Sequence, residues 1–241
     1  MTASDIEWTN VTWNPVTGCT KISAGCQNCY AAVMARRLKA LGLGKYRNGF
    51  DVTLHPSSLE YPYSLKKGQM IFVNSMSDLF HKDIPIDFIQ DVFKVMNDNP
   101  QHRFQVLTKR AERILELNSK LNFTDNIWLG VSVENQSTTS RIEFLANSSA
   151  KVKFLSIEPL LDEIKHIPLI EKIDWIIVGG ESGPKARPML EDWVLKIKAN
   201  CEEHSVPFFF KQWGGVNKKK TGRLLLNQTW DALPLTAKTS L

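Results

Sequence analysis

No stretch of this 241-residue chain has the length of a membrane span. Its opening residues, Met1-Thr2-Ala3-Ser4-Asp5-Ile6-Glu7-Trp8, lack the apolar centre of a secretion signal. Cysteine is scarce, with four residues in all. With no sign of export, the expected compartment is a reducing cytoplasm, where thiols serve metal or redox chemistry rather than disulfides. There is no low-complexity linker and no repeat at a solenoid period, which excludes stacked-repeat architectures. Neither sign of charge dominates: 30 Lys and Arg face 25 Asp and Glu, for a net charge of +5 and a pI near 9.0. That excess is compatible with an anionic partner without establishing one. The densest basic run, Lys218-Lys219-Lys220 with Arg223 nearby, sits beside glycines and reads as a solvated loop. A hydrophobic content of 43% suffices for one large core, so residues 1–241 read as a single domain, with 214–241 as an appended extension.

What cysteine there is, is concentrated. Cys19, Cys26 and Cys29 lie within eleven residues at a C-x6-C-x2-C spacing. A helix-forming run, Ala31-Ala32-Val33-Met34-Ala35-Arg36-Arg37-Leu38, follows them. A closed structural zinc site takes four ligands. A [4Fe–4S] cluster has four irons with cysteine thiolates as the usual ligands, so three cysteines leave one iron open to something that reacts. Two other assignments stand beside the cluster: zinc completed by a distant histidine or by Cys201, and one disulfide plus a free thiol. Cys201 lies in a polar helical stretch and reads as a bystander.

Short apolar runs punctuate the chain: Met70–Asn74, Phe104–Thr108, Ile127–Val133, Val152–Ile157, Trp175–Gly180 and Pro207–Lys211, with Asn10–Trp13 as a further first strand. Between them lie amphipathic segments, Ile86 to Asn97 and Glu112 to Leu121. In the first of these Phe88, Ile89, Val92, Phe93, Val95 and Met96 recur at helical spacing. Strands alternating with helices predict parallel βαβ units. Polar residues cluster where the strands end. Ser75, Ser77 and Asp78 follow one strand, Lys109 and Arg110 the next, then Glu134, Glu158, Glu181 and Gln212. In a parallel barrel all these ends face one side, where ligands bind. Loops are polar in any case, which explains serines and asparagines better than a carboxylate after three successive apolar strands. His81 reads as a capping or structural residue, and the tryptophans as core. Trp213 is a further base-stacking candidate.

A partial (βα)6-type parallel barrel with a three-cysteine loop after its first strand resembles the radical SAM superfamily. More narrowly, the ordered blocks resemble phage Gp37/Gp68-type proteins. These blocks are Thr12-Trp13-Asn14-Pro15-Val16-Thr17-Gly18-Cys19, Cys26-Gln27-Asn28-Cys29-Tyr30-Ala31, Asn74-Ser75-Met76-Ser77-Asp78, Leu107-Thr108-Lys109-Arg110, Gly130-Val131-Ser132-Val133-Glu134, Ser156-Ile157-Glu158-Pro159, Gly179-Gly180-Glu181-Ser182-Gly183 and Lys211-Gln212-Trp213-Gly214-Gly215. The loop departs from the superfamily's usual C-x3-C-x2-C by three residues. The position before the third cysteine, often aromatic there, is Asn28, with Tyr30 just beyond.

The resemblance implies that Cys19, Cys26 and Cys29 ligate a [4Fe–4S] cluster whose fourth iron chelates S-adenosylmethionine. One electron from an external donor would then release a 5′-deoxyadenosyl radical. It implies cofactor contacts from Asn28 or Tyr30 to the adenine, from Ser75, Ser77 and Asp78 to the methionyl ammonium, and from Lys109 or Arg110 to its carboxylate. Ser132 and Glu134 would meet the ribose, and Gly179, Gly180 and Glu181 the cofactor or substrate. Glu158, Lys211 and Gln212 become substrate-side catalytic candidates. A nucleic-acid or nucleotide substrate is the leading expectation, with a peptide or small metabolite as its rival and no membrane partner. Two other classes stay open: a zinc-stabilised nucleic-acid-binding protein, and a barrel hydrolase pairing Glu158 with Glu181.

Overall fold

In the computed structural model, which describes residues 6–234 apart from the side chains of Lys218 and Lys219, the apolar runs form one parallel sheet. The strands in chain order are β1 (Val11–Trp13), β2 (Val16–Thr17), β3 (Thr53–Leu54), β4 (Met70–Val73), β5 (Arg103–Thr108), β6 (Ile127–Ser132), β7 (Val152–Ile157), β8 (Trp175–Gly179) and β9 (Phe208–Gln212). The main sheet has seven strands, against the six or so expected, in the order β1-β4-β5-β6-β7-β8-β9. Each neighbouring pair is parallel, in registers such as Val11 with Ile71, Phe104 with Ile127 and Leu155 with Ile176. Among the described residues β1 and β9 do not pair, so the sheet is a half-barrel with the cysteine loop close to β1.

Both faces of this sheet are buried, which is why its strands read as continuous apolar runs instead of alternating ones. Successive side chains still point to opposite faces. Ile71, Val73, Phe104, Val106, Leu155 and Ile176 pack into the large core shared with the helices. Phe72, Trp128, Phe154, Trp175 and Phe209 point the other way, into a separate aromatic cluster completed by Trp8. Trp175 sits at its centre, with ring centroids 6.2 Å from Trp8, 6.1 Å from Trp128 and 5.8 Å from Phe209. These tryptophans are core, as expected.

The helices are α1 (Tyr30–Ala40), α2 (Ile86–Asp98), α3 (Glu112–Leu117), α4 (Arg141–Ala146), α5 (Glu191–Glu203) and a single turn, α6 (Lys218–Thr221), so the basic run expected as a loop is helical, lysine being a good helix former. The six apolar residues that mark α2 by spacing are all buried. The βα alternation is less regular than expected. α3 stops at Leu117 and continues as a short 3-10 turn. The connection from β7 to β8 holds only a 3-10 turn at Ile170–Lys172. Pro159 and Pro168 lie in that connection, and proline removes a helix donor and clashes with the preceding turn.

The excursion between β1 and β4 contains an arm in which β2 and β3 pair antiparallel, Val16 with Leu54 and Thr17 with Thr53. At the other end, the segment after Gly214 folds back on the sheet. Phe210 N donates to Trp230 O at 2.8 Å, Trp175 Nε1 to Ala232 O at 2.8 Å, and Leu225 is fully buried. Met1 to Asp5, residues 235–241 of the expected extension, and the side chains of Lys218 and Lys219 from the basic run lie outside the described residues. No helix among the described residues is long and apolar enough to cross a membrane.

Candidate functional site

The cysteine loop opens where β2 ends. Gly18 N donates to Met76 O at 3.0 Å and Cys19 N to Phe50 O at 3.1 Å, which stitches the loop to the β4 end and to the arm. A single 3-10 turn, Ala24–Cys26, crosses to Cys29, the residue that caps the start of α1. All three cysteines are half-buried on the wall of a cavity of about 520 Å³ at the C-terminal ends of the strands.

Three carboxylates from three strand ends hold this loop. Asp78, after β4, accepts hydrogen bonds from Thr108 Oγ1 (2.7 Å) and Phe80 N (3.0 Å) on one oxygen. On the other it accepts from Arg110 Nη1 (2.9 Å) and Lys109 N (3.1 Å). Arg110, fixed in this way, reaches Cys19 Sγ at 3.4 Å with Nη1 and Thr20 O at 2.9 Å with Nη2. Glu134, after β6, is fully buried and takes Lys109 Nζ at 2.5 Å and Ser23 Oγ at 2.8 Å on one oxygen, with Arg141 Nη1 at 3.0 Å on the other. It lies so close beneath the loop that a Cβ on Gly25 would stand 2.5 Å from Glu134 Cγ, so only glycine fits. Glu181, after β8, binds Arg187 through Nη2 (2.5 Å), Nε (2.9 Å) and backbone N (3.0 Å), and Asn28 Nδ2 at 3.0 Å. Arg187 Nη2 then donates to Ala24 O at 3.0 Å. Each strand end thus meets the loop through a carboxylate and a cation, at Cys19–Thr20, at Ser23–Gly25 and at Ala24–Asn28.

The electrostatics follow from these contacts. Burial alone would raise the Glu134 carboxyl, but Lys109, Arg141 and Ser23 hold it below its ordinary range. Burial likewise opposes ionisation of Glu181, and the Arg187 and Asn28 hydrogen bonds outweigh it. Burial pushes the Cys19 thiol up to about 11, with Asp78 adding to the rise and Arg110 opposing it. Burial also raises Cys26, yet hydrogen bonds at Ile22 and Ser23 and the nearby Lys109 leave it below its ordinary value.

Most of the residues singled out in the sequence meet at this cavity. Tyr30, Ser75, Ser77, Asp78, Lys109, Arg110, Ser132, Glu158, Gly180, Glu181, Lys211 and Gln212 line it together with the cysteines. Glu134 and Gly179 are not on its wall. A Cβ on Gly179 would come within 3.3 Å of Glu158, and one on Gly180 would strike Trp213 O at 2.0 Å. Gly180 is therefore set by the approach of the β8 and β9 ends. Ser77 Oγ donates to Val16 O at 3.0 Å, Ser75 Oγ to Asn14 Oδ1 at 3.2 Å, and Tyr30 Oη to Ser75 O at 2.5 Å. His81 is buried, with Nε2 2.8 Å from Thr20 Oγ1, a structural role. Cys201 lies in the core on α5, away from the cavity.

Also on the cavity wall, Lys211 Nζ binds both oxygens of Glu158, at 2.6 and 2.9 Å. Glu158 is thus paired with Lys211, and Glu181 with Arg187. Among the described residues three that line the cavity keep a buried polar atom without a partner: Trp8 Nε1, Asn74 Nδ2 and Gln212 Oε1. Asn74 sits at φ 60° at the β4 end, a conformation asparagine tolerates better than most residues, with its Oδ1 held by Val16 N at 3.2 Å. Leaving such atoms dry and unpaired costs about 1–3 kcal/mol each, so they suit a bound polar ligand.

Arg187, Ser23, Thr20 and Arg141 were not marked by sequence, and Asn28 was marked only as the position before the third cysteine. Their only signal is position: Arg187 returns to Glu181 around a turn at Gly183 (φ 121°), and Ser23 meets Glu134 across 111 residues. Arg187→Ala is expected to lower stability by about 1–2 kcal/mol, since it removes charge-assisted hydrogen bonds at a partly exposed site. Urea denaturation of the purified variant checks this, and an unchanged midpoint would show that the clamp is not needed for folding.

Among the described residues, no three His, Cys, Asp or Glu side chains converge as the ligands of one metal ion do. The donor set at the cavity does fit a cluster bound through separate irons. It has three thiols on one loop, a guanidinium on one sulfur, and Ser23 Oγ 3.7 Å from Cys26 Sγ.

No curated protein matches the chain. Similar solved structures include a spore photoproduct lyase mutant with bound AdoMet and dinucleoside spore photoproduct. It shows 10% identity and a TM-score of 0.47 over 80% of this chain and 61% of that one. Spore photoproduct lyase complexed with dinucleoside spore photoproduct shows 12% identity and a TM-score of 0.43, over 78% and 59%. The chain thus spans about three-fifths of the length of those proteins, and at this distance the likeness does not carry activity across. Residues 3–234 match the family described as "Protein of unknown function (DUF5131)", and the chain belongs to that family.

Proposed function

We propose that the chain is a radical SAM enzyme in which Cys19, Cys26 and Cys29 hold a [4Fe–4S] cluster with one iron left for S-adenosylmethionine. The observation that carries this is the placement of three loop cysteines on the wall of a ligand-sized cavity at the strand ends, with the loop braced from β4–β5, β6 and β8. When bound, the cluster supplies the electron that opens the sulfonium C–S bond. The protein's own part is orientation and exclusion of water.

The strand-end residues divide accordingly. Asp78, Arg110, Lys109, Glu134 and Glu181 act on the cofactor through the loop, since their polar atoms are spent on holding it and each other. Tyr30, Ser75, Ser77, Ser132 and Gly180 line the space for the cofactor itself, with Asn74 Nδ2 as an available donor. Glu158, Lys211 and Gln212 face the substrate, Gln212 Oε1 as an available acceptor. The chemistry needs an external one-electron donor. A nucleic-acid or nucleotide substrate, a cytoplasmic setting and the narrower kinship with phage Gp37/Gp68-type proteins belong to the same proposal. Their support is the basic balance of charge, the thiols, and the ordered motif blocks.

The test is anaerobic purification with iron and sulfide analysis, then reduction by dithionite in the presence of S-adenosylmethionine. About four irons per chain and release of 5′-deoxyadenosine with methionine are expected. Tight zinc without iron after anaerobic reconstitution would overturn the proposal.

A further inference from the structure

A second pocket, of about 340 Å³, lies on the arm between β2 and β4, outside the cysteine cavity. It is lined by Lys45, Arg47, Thr53, His55, Ser57 and Ser58 among others, and no carboxylate lines it. Among the described residues neither Lys45 nor Arg47 has an ion-pair partner. Elsewhere the same chain pairs Arg110, Lys109, Arg141, Arg187 and Lys211 with carboxylates. Three cationic or protonatable side chains around one hollow repel each other, and their nearness lowers the proton affinity of His55 beyond the effect of its burial. An anion relieves that repulsion.

The pocket is also preformed. Trp13 Nε1 donates to Ser58 O at 2.7 Å, His55 N to Pro15 O at 2.8 Å and Lys45 Nζ to Ser58 Oγ at 3.0 Å. His55 Nε2 lies 2.8 Å from Thr17 Oγ1. Tyr46, between the two basic residues, is buried against Ala31, Ala35 and Met76. Lys and Arg donors beside hydroxyls are the groups that hold phosphate oxygens, with the Arg fork suited to two at once.

We propose that this pocket binds the phosphate group of a phosphoester, either a terminal monoester or a backbone diester. The arm that carries it also borders the cysteine cavity: Phe50 lines that cavity, and its carbonyl accepts from Cys19 N. A phosphate held here therefore anchors a ligand long enough to reach the mouth of the cavity. The assignment does not depend on the cysteines binding a cluster.

Two probes separate the sources of phosphate. Inorganic phosphate is titrated calorimetrically, and a fluorescein-labelled single-stranded oligodeoxynucleotide is followed by anisotropy. The variants are Arg47→Glu, whose exposed guanidinium makes no hydrogen bond among the described residues, and Lys45→Gln, which keeps a donor for Ser58. Lys151→Glu, an exposed lysine at the opposite ends of the strands, is the matched charge control. Binding of either probe, weakened about tenfold or more by Arg47→Glu and less by Lys151→Glu, supports the pocket. Inorganic phosphate bound in the pocket points to a monoester, and the oligonucleotide alone points to a diester. Failure of the wild-type protein to bind either probe overturns the proposal. So does equal weakening by Arg47→Glu and Lys151→Glu, which would reduce the effect to overall charge.

Discussion

Cys19→Ala, Cys26→Ala and Cys29→Ala should each bring 5′-deoxyadenosine formation down to background, while Cys201→Ala leaves it unchanged. The three loop thiols share one cavity wall, and each would supply one of the protein ligands of a cluster that has no others to spare. Cys201 is 1% exposed inside the core, where burial pushes its thiol up to about 12 and it behaves as a small apolar side chain. The measurement is iron and sulfide content, with chromatography of the reduced reaction. Circular dichroism of each variant separates a lost cluster from a lost fold. Undiminished product from a triple-cysteine variant would rule out the cluster as the source of the reaction.

The second large effect falls on stability. Glu134→Ala should cost about 3–5 kcal/mol, the range for removing one member of a buried ion network. Its carboxylate is fully buried and answers both Lys109 and Arg141, and Arg141 is itself only 9% exposed. Without it two cations are left facing each other beneath the cysteine loop, and Ser23 loses its acceptor. Glu134→Gln keeps the shape and one acceptor oxygen and should cost less.

A pH dependence accompanies this. The folded-state pKa of Glu134 is depressed below the ordinary 4.5, so the unfolded chain binds the proton more readily. The stabilisation is complete above about 4.5 and is lost as pH falls through the lower folded value. Urea midpoints between neutral and acid pH should therefore fall more steeply for wild type than for Glu134→Gln. Identical slopes would mean that Glu134 is not ionised against its partners. Since the loop rests on this carboxylate, Glu134→Gln should also reduce iron retention before it reduces the fraction folded.

Much of the architecture was legible in the chain because it depends on local pattern. A strand buried on both faces needs an unbroken apolar run, and Val152–Ile157 shows its limits to the residue, with the others within one. The face of α2 is declared by Phe88, Ile89, Val92 and Phe93 alone. The end-to-end alternation of parallel strands placed the cysteine loop and the strand-end polar residues on one side of the sheet before any contact was known. The pairing of β2 with β3 was not legible because each has two residues, too few to display a period.

The cysteine spacing, the carboxylates after three successive strands and the parallel alternation were legible in the sequence alone, since each is a property of neighbours along the chain. Which cation answers which carboxylate was decided only in the folded molecule. Asp78 and Glu134 were expected at the cofactor, and the fold adds that their oxygens accept from Arg110, Lys109, Arg141 and the loop. Asn28, an apparent gap in the motif, is a hydrogen-bond donor to Glu181 across 153 residues. Such pairs follow from where strand ends converge and how much water is excluded there, and no periodicity along the chain records either.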